Sequence, residues 1–188
     1  MSIILASSQP ERASIQAFFE VTFPDIEPDG VPAVRHDEIY TPLIPYLQDD
    51  DGQVIAAAMS CRSQLGAMAA TAARAGRQDL FQLGALNDKH SELDLLAVQE
   101  DHQGLGLGSS LIRFLEAELV ARGVRAWFGN VTVNLDGDRL RRFYTAHGFT
   151  VLPDSQPLPP LLGQDWVTHT EKPQFYFYKR PRPVMVSR

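Results

Sequence analysis

The sequence contains one cysteine, Cys61, among its 188 residues. A single thiol cannot form an internal disulfide framework, so the chain is not a disulfide-stapled secreted domain and suits a reducing compartment. No apolar run approaches the roughly 18 residues that a membrane-spanning helix needs. No basic segment followed by a hydrophobic run opens the chain either. These absences predict a cytoplasmic protein with no membrane partner.

Positive charge is also scarce, because 17 lysines and arginines face 23 aspartates and glutamates, for a net charge of −6. Nonspecific nucleic-acid binding depends on basic side chains that neutralise phosphates, so we expect no nucleic-acid partner. The histidines lack the i, i+4 pairing of a helical zinc site, and we expect no metal. They are His36, His90, His102, His147 and His169.

The length of the chain and its hydrophobic content of 44% predict one domain over residues 1–188. Three stretches depart from a regular pattern. Residues 64–90 begin rich in alanine and predict a helical insertion, with a second helical turn near 80–86. Residues 153–173 are proline-rich and predict a loop, and the basic tail 179–188 is expected to fray.

Strand-like and helix-like segments alternate along the rest of the chain. The first half predicts a strand at 2–6, a helix at 9–23, an irregular connection at 25–41, and a hairpin of residues 43–47 and 54–61. The second half predicts strands at 93–98, 126–133 and 175–178, with helices at 107–122 and 140–146.

The most informative segment is the glycine-rich turn from Gln103 to Gly108, which follows the strand-like run 93–98 and opens a helix. The first four N–H groups of a helix have no intrahelical partner, so they can bind an anion. Glycine allows the backbone to approach a phosphate closely because no Cβ intervenes. The segment therefore predicts a phosphorylated ligand.

The spacing of the glycines excludes two common phosphate motifs. A Walker loop requires a lysine before its Ser or Thr, and none precedes Ser109. A dinucleotide motif read from Gly104 needs a glycine where Ser109 stands, and read from Gly106 it needs one where Leu111 stands. The pattern that fits is Q/R-x-x-G-x-G/A, with Gln103 first, Gly106 fourth and Gly108 sixth.

A second motif follows about 40 residues later, where Arg142 to Phe149 place a tyrosine, Tyr144, three residues before Gly148-Phe149. Together the two motifs resemble the GNAT superfamily of N-acetyltransferases over about residues 92–150. The resemblance implies a mixed α/β fold with a central, mostly antiparallel sheet of about six to seven strands flanked by helices. It also implies a splayed strand pair at the acetyl-CoA site.

The resemblance implies an acetyl-CoA-dependent N-acetyltransferase that moves an acetyl group directly to a primary amine of a small molecule or protein. Acetyl-CoA is the co-substrate, and a homodimer is possible because family members often dimerise. The alternative is a noncatalytic acyl-CoA-binding or regulatory module of the same fold. Residues 25–48, 64–90 and 153–173 would shape the acceptor site, with Trp166 and His169 as candidate lining residues.

The same resemblance implies a set of cofactor-binding residues. The strand would hold the pantetheine arm, Val98 N–H would face the oxyanion, and the turn would bind the pyrophosphate. The residues are Leu96, Ala97, Val98, Gln103, Gly104, Leu105, Gly106, Leu107, Gly108 and Ser109. The family asparagine position is occupied by Gly137, so Asn134, three residues earlier, is the candidate for that contact. The arginine that meets the remaining phosphate is Arg113, Arg139 or Arg142.

Tyr144 matches the family position of the general acid, and its phenol is protonated at neutral pH. It also counts as a cofactor-binding residue, because it would donate its proton to the sulfur of CoA. A core tyrosine beside Phe143 and Phe149 is the structural alternative. Glu92 matches the position of a glutamate base, while Asp94 shares its strand face. An exposed strand-end carboxylate without a catalytic role explains either residue equally well.

Overall fold

The computed structural model describes residues 2–76, 88–133, 135–169 and 173–182. Within these ranges the helices, in chain order, are α1 Gln9–Thr22, α2 Asp37–Tyr40, α3 Gln64–Arg74, α4 Leu107–Ala121 and α5 Gly137–Ala146. The strands are β1 Ile4–Leu5, β2 Pro45–Gln48, β3 Val54–Cys61, β4 His90–Val98, β5 Ala126–Thr132, β6 Thr150–Val151 and β7 Pro173–Lys179.

The strands form one seven-stranded sheet in the order β1-β2-β3-β4-β5-β7-β6. Antiparallel pairing joins β1 to β2, β2 to β3, β5 to β7 and β6 to β7. β4 and β5 pair in parallel. This mostly antiparallel sheet, flanked by helices, confirms the predicted mixed α/β fold class.

The chain divides into two compact units, residues 1–61 with 95–115 and residues 62–94 with 116–188. β4 and α4 each contribute residues to both units. The single domain over 1–188 stays a prediction.

In the first unit, α1 begins at a complete capping box. The Ser8 side chain accepts from the backbone N–H of Glu11, and the Glu11 side chain accepts from the backbone N–H of Ser8. Two N–H groups that have no partner within the helix are thereby satisfied. The hydrogen bond from the Ser8 hydroxyl, at 2.7 Å, and those from the backbone N–H groups of Ser7 and Ser8 lower the pKa of Glu11 to about 2. The helix then buries Ile15 and Phe19 completely.

The core of the first unit gathers one face of α1 and the inward side chains of the strands. Small residues on β3 allow close packing there. The buried members are Ala6, Ile15, Phe19, Val31, Ile44, Tyr46, Ala57, Met59, Cys61 and Ala97. Cys61 is a buried thiol, as expected for a small apolar residue in a strand.

The connection at 25–41 is more regular than predicted. It contains a 3-10 turn, Val34–His36, and the short α2. Arg12, 4% exposed, fixes it by donating to the Pro32 carbonyl and the Asp37 carboxylate, both at 2.9 Å. A single helical turn held by one buried arginine leaves no apolar period, so the sequence pattern could not reveal it.

The core of the second unit is aromatic. The rings of Tyr144 and Phe177 stack with centroids 3.8 Å apart, and Trp127 lies 5.0 Å from Phe149. The ammonium of Lys179, 4.4 Å from the Phe149 ring centroid, donates to Glu116 at 2.7 Å and is buried. A buried charge is tolerated because it has both a carboxylate and hydrogen-bond partners.

Most element predictions are confirmed, and most of the differences lie at the ends of the predicted helices and strands. β4 begins at His90, β7 extends over Pro173–Lys179, and the two-residue β6 was not predicted. Short edge strands carry too few residues to show an alternation. The helical turn predicted at 80–86 and the tail residues 183–188 lie outside the described residues.

Replacing Ser8 by alanine should reduce the free energy of unfolding by about 1 kcal/mol, because the cap of α1 loses its hydroxyl acceptor. Ser14→Ala on the same helix is the matched control, since Ser14 is exposed and donates only to Pro10. Urea unfolding of both variants measures the difference. Equal stability of the two variants would contradict a stabilising role for the cap.

Candidate functional site

The glycine-rich turn lies in the first unit, between the end of β4 and the start of α4. After Val98 the chain makes a 3-10 turn, Glu100–His102, and Gly104 and Gly106 then take φ values of 78° and 79°. The Gln103 side chain donates to the Val98 carbonyl at 3.1 Å, which fixes the turn against the strand. The strand, turn and helix start predicted from the sequence therefore occur at these residues.

The turn has the properties of an anion site. α4 is 15 residues long, and its axis dipole favours a negative charge at Leu107. Gly104, Leu105 and Gly106 are exposed. A Cβ at Gly104 or Gly106 would meet nothing within 4 Å, so glycine is required there by the positive φ and not by crowding. Gln103 to Ser109, all predicted to bind the cofactor, lie together here.

Arg113 lies on the same stretch of α4 and donates to the Ser110 hydroxyl at 3.1 Å. Its guanidinium is therefore held near the first turn of the helix. Arg139 and Arg142 belong to α5 in the second unit. The choice among the three arginines for the remaining phosphate stays open.

The pairing of β4 with β5 is short. It runs from His90 opposite Ala126 to Leu93 opposite Gly129, while β4 continues to Val98 and β5 to Thr132. Leu96, Ala97 and Val98 belong to this continuation of β4. A strand pair that stops pairing partway is what the predicted splayed pair requires.

In the second unit, Glu92 and His169 are in polar contact. Glu92 has no exposed surface. Its Oε1 accepts a hydrogen bond from the backbone N–H of His169 at 3.0 Å, and its Oε2 lies 3.0 Å from His169 Nδ1. Asp94, two residues along β4, is partly exposed, and its carboxylate oxygen lies within 4.8 Å of a His169 ring nitrogen.

The pKa values of His169 and Asp94 both depart from their ordinary range. Burial lowers the pKa of His169, but the hydrogen bond to Glu92 and the charges of Glu92 and Asp94 together raise it to about 9. Burial and the charge of Glu92 raise the pKa of Asp94 to about 7, although His169 acts in the opposite direction. At neutral pH the imidazole is therefore charged, and Asp94 is close to its midpoint.

Tyr144 lies near the end of α5 and is 6% exposed. Besides stacking on Phe177, its ring meets Phe143 and Phe149 edge-on, at centroid distances of 5.3 Å and 5.7 Å. Burial raises its pKa above 10, so the phenol keeps its proton over the whole working range of an enzyme. Tyr144 is thus part of the core, and its side chain is a protonated phenol at neutral pH.

The loop predicted at 153–173 is anchored through Trp166. Its indole is 8% exposed, stacks on His90 at 3.9 Å, and donates to the Leu161 carbonyl at 2.8 Å. His90 accepts from the backbone N–H of Ser63 at 3.1 Å. Trp166 is therefore packed among aromatic rings.

Asn134 lies outside the described residues. Gly137, at the family asparagine position, begins α5, and a Cβ added there would come within 2.7 Å of Gln174 Oε1. Asp136 caps the helix by accepting from the N–H of Arg139 at 3.1 Å. Any side chain at position 137 would thus require Gln174 to move.

The pairing of His169 with Glu92 is the part of the site that sequence reasoning missed. The two residues are 77 positions apart, and neither motif contains the histidine. The sequence offered only one signal, a histidine in a loop that was expected to border the acceptor site.

No described helix has both the length and the apolar character needed to span a membrane. A comparison with curated protein sequences finds no match. Residues 12–149 match the family model described as the acetyltransferase (GNAT) family.

Solved structures of similar fold include Tetrahymena GCN5 and two acetyltransferases. Tetrahymena GCN5 has a TM-score of 0.64 at 9% identity, covering 97% of this chain and 98% of that one. An aminoglycoside 6'-N-acetyltransferase complexed with coenzyme A has a TM-score of 0.60 at 14% identity, covering 97% and 98%. The ribosomal-protein-S18-alanine N-acetyltransferase from Escherichia coli has a TM-score of 0.54 at 17% identity, covering 96% and 93%.

The fold of these structures agrees with the seven-stranded sheet described above, and the family model covers well over half of the chain. The resemblance drawn from the two sequence motifs is confirmed. The chain belongs to the acetyltransferase (GNAT) family and is an N-acetyltransferase.

Proposed function

We propose that this enzyme transfers the acetyl group of acetyl-CoA directly to a primary amine of a small molecule or protein. The observation that carries the proposal is the exposed glycine turn between β4 and α4, within the matched family segment. The CoA complex of one structural neighbour supports the choice of cofactor. A different acceptor is named for each of two neighbours, so the acceptor is proposed only as an amine.

In this proposal the backbone of the cofactor-binding strand holds the pantetheine arm, through Leu96, Ala97 and Val98. The amides of Gln103 to Ser109 bind the pyrophosphate, since successive helix-start donors favour phosphate oxygens. Val98 N–H donates to the oxyanion, a contribution of about 3–4 kcal/mol in comparable sites. Asn134 stays a candidate cofactor contact.

Tyr144 is proposed to protonate the departing sulfur. Its buried, protonated phenol supports this role, since a general acid must carry its proton when the C–S bond breaks. The Glu92–Asp94 pair on β4 is proposed to remove the proton from the acceptor ammonium, and Glu92 is the residue that the family pattern favours. Three absences stay predictions, namely those of a metal, a nucleic-acid partner and a membrane partner. The cytoplasmic location and the possible homodimer also stay predictions.

Thiol release tests the proposed reaction. The full chain is incubated with acetyl-CoA and one amine at a time. The amines are spermidine, kanamycin and a peptide that begins with a free alanine. We expect CoA release that depends on one of these amines, together with an acetylated product of increased mass. Tight CoA binding without any turnover would instead favour a noncatalytic acyl-CoA-binding module.

Tyr144→Phe should lower kcat at least tenfold and leave the Kd for acetyl-CoA unchanged, because phenylalanine keeps the ring stacking and lacks only the hydroxyl group that donates the proton. Tyr176→Phe on β7 is the matched control and should keep full turnover. Steady-state kinetics and calorimetry measure the two quantities. Full turnover in Tyr144→Phe would remove Tyr144 from the mechanism.

Gly106→Ala should raise the Kd for acetyl-CoA at least tenfold, equivalent to about 1.4 kcal/mol. Alanine disfavours φ near 79°, so the amides that face the phosphates would turn away. Gly52→Ala is the matched control, because Gly52 has φ 78° and equally open surroundings in the β2–β3 hairpin. Equal affinities for the two variants would mean that the turn does not bind the cofactor.

A further inference from the structure

Glu92 is poorly placed to meet an acceptor amine. Its side chain has no exposed surface, and both oxygens face His169, one toward the backbone N–H and one toward Nδ1, at 3.0 Å each. A carboxylate held in this way exchanges protons with an outside group only if the pair opens. An ion pair with one fully buried partner resists opening, because the buried charge would lose its partner.

Asp94 has the properties that Glu92 lacks. It follows Glu92 on the same face of β4 and is partly exposed. Its carboxylate lies within 4.8 Å of a His169 ring nitrogen. Burial and Glu92 raise the pKa of Asp94 to about 7, with His169 acting in the opposite direction, so the group can accept and release a proton near neutral pH.

We infer that Asp94 takes the proton of the acceptor ammonium, and that Glu92 and His169 form an ion pair that positions and tunes Asp94. The inference rests on the proposed acetyl transfer and assigns the base within it. His169 is a positioning residue: its cation favours the charged form of Asp94, and its backbone N–H ties the chain at 169 to β4.

Asp94 accepts one proton from the ammonium and later releases it to water. The neutral amine forms the C–N bond, and the C–S bond breaks. Tyr144 donates a proton to the sulfur, and the second proton of the amine nitrogen restores the phenol. The products are the acetylated amine, CoA thiol and one released proton.

The pH dependence of kcat/KM identifies the base, measured with the most active amine of the thiol-release panel. In the wild type the acidic limb should contain an ionisation near pH 7, set by Asp94. Asp94→Asn should abolish that ionisation and lower kcat/KM at least tenfold. Glu92→Gln should keep the ionisation, although its midpoint moves. Asp50→Asn, at an exposed position between β2 and β3 in the first unit, is the control and should behave as the wild type.

His169→Gln separates the tuning role from a merely structural one. The backbone N–H still donates to Glu92, but the cation is lost, so the pKa of Asp94 should rise. The acidic limb should then move to higher pH while the affinity for acetyl-CoA stays unchanged. A uniform loss of activity with an unmoved limb would overturn the tuning role.

A spectroscopic readout tests the ion pair without any turnover. In the ¹⁵N-histidine spectrum of the full chain, the ring of His169 should titrate near pH 9, and in Glu92→Gln its midpoint should fall. A midpoint at or below 6.5 in the wild type would overturn the pair.

The outcomes distinguish this inference from the proposed function. No thiol release by the wild type with any amine would contradict the acetyl transfer itself, while the histidine titration would still test the ion pair. An active wild type whose ionisation near pH 7 disappears in Glu92→Gln and persists in Asp94→Asn would leave the reaction in place and return the base to Glu92.

Discussion

The carboxylate of Glu92, which has no exposed surface, lies near the start of β4, and His169 supplies the partner that this buried group needs. An isolated buried carboxylate would cost far more free energy than a domain can spare. His169 supplies a backbone donor and a ring nitrogen at 3.0 Å each. The loop that carries the histidine is therefore fixed to the strand, and Trp166 fixes it again by stacking on His90.

β4 contains residues that we propose for two parts of acetyl transfer, proton removal and cofactor binding. Glu92 and Asp94 lie on it, and the next residues lead through Val98 to the glycine turn and α4. Its pairing with β5 stops at Leu93, which agrees with a strand whose later backbone serves a ligand. One continuous strand thus carries the proposed proton acceptor and the proposed pantetheine-binding residues in fixed order.

The sequence predicted the parts of the site that depend on local patterns. The turn from Gln103 to Gly108 could be found because glycine spacing and helix starts leave a signal in consecutive residues. The helix that carries Tyr144 was found in the same way. The contact between Glu92 and His169 could not, because its partners are 77 positions apart and each is an ordinary residue in its own segment. The short α2 was missed because one buried arginine stabilises it, without an apolar period.

The burial of Trp166 shows a further limit of sequence reasoning. Trp166 was a candidate lining residue of the acceptor site, and its indole packs against His90 and Phe128, with centroid distances of 3.9 Å and 5.8 Å. Proline content indicates a loop but does not tell whether the loop's aromatic residues are packed. Only the tertiary partners decide that.

The most direct test of the account is isothermal calorimetry of the full chain with acetyl-CoA, with ATP as the comparison ligand. We expect binding of acetyl-CoA with a Kd in the micromolar range and no heat from ATP, because the turn after β4 matches the family pattern Q/R-x-x-G-x-G/A and lacks the Walker lysine. Absence of acetyl-CoA binding, or equal binding of ATP, would contradict it.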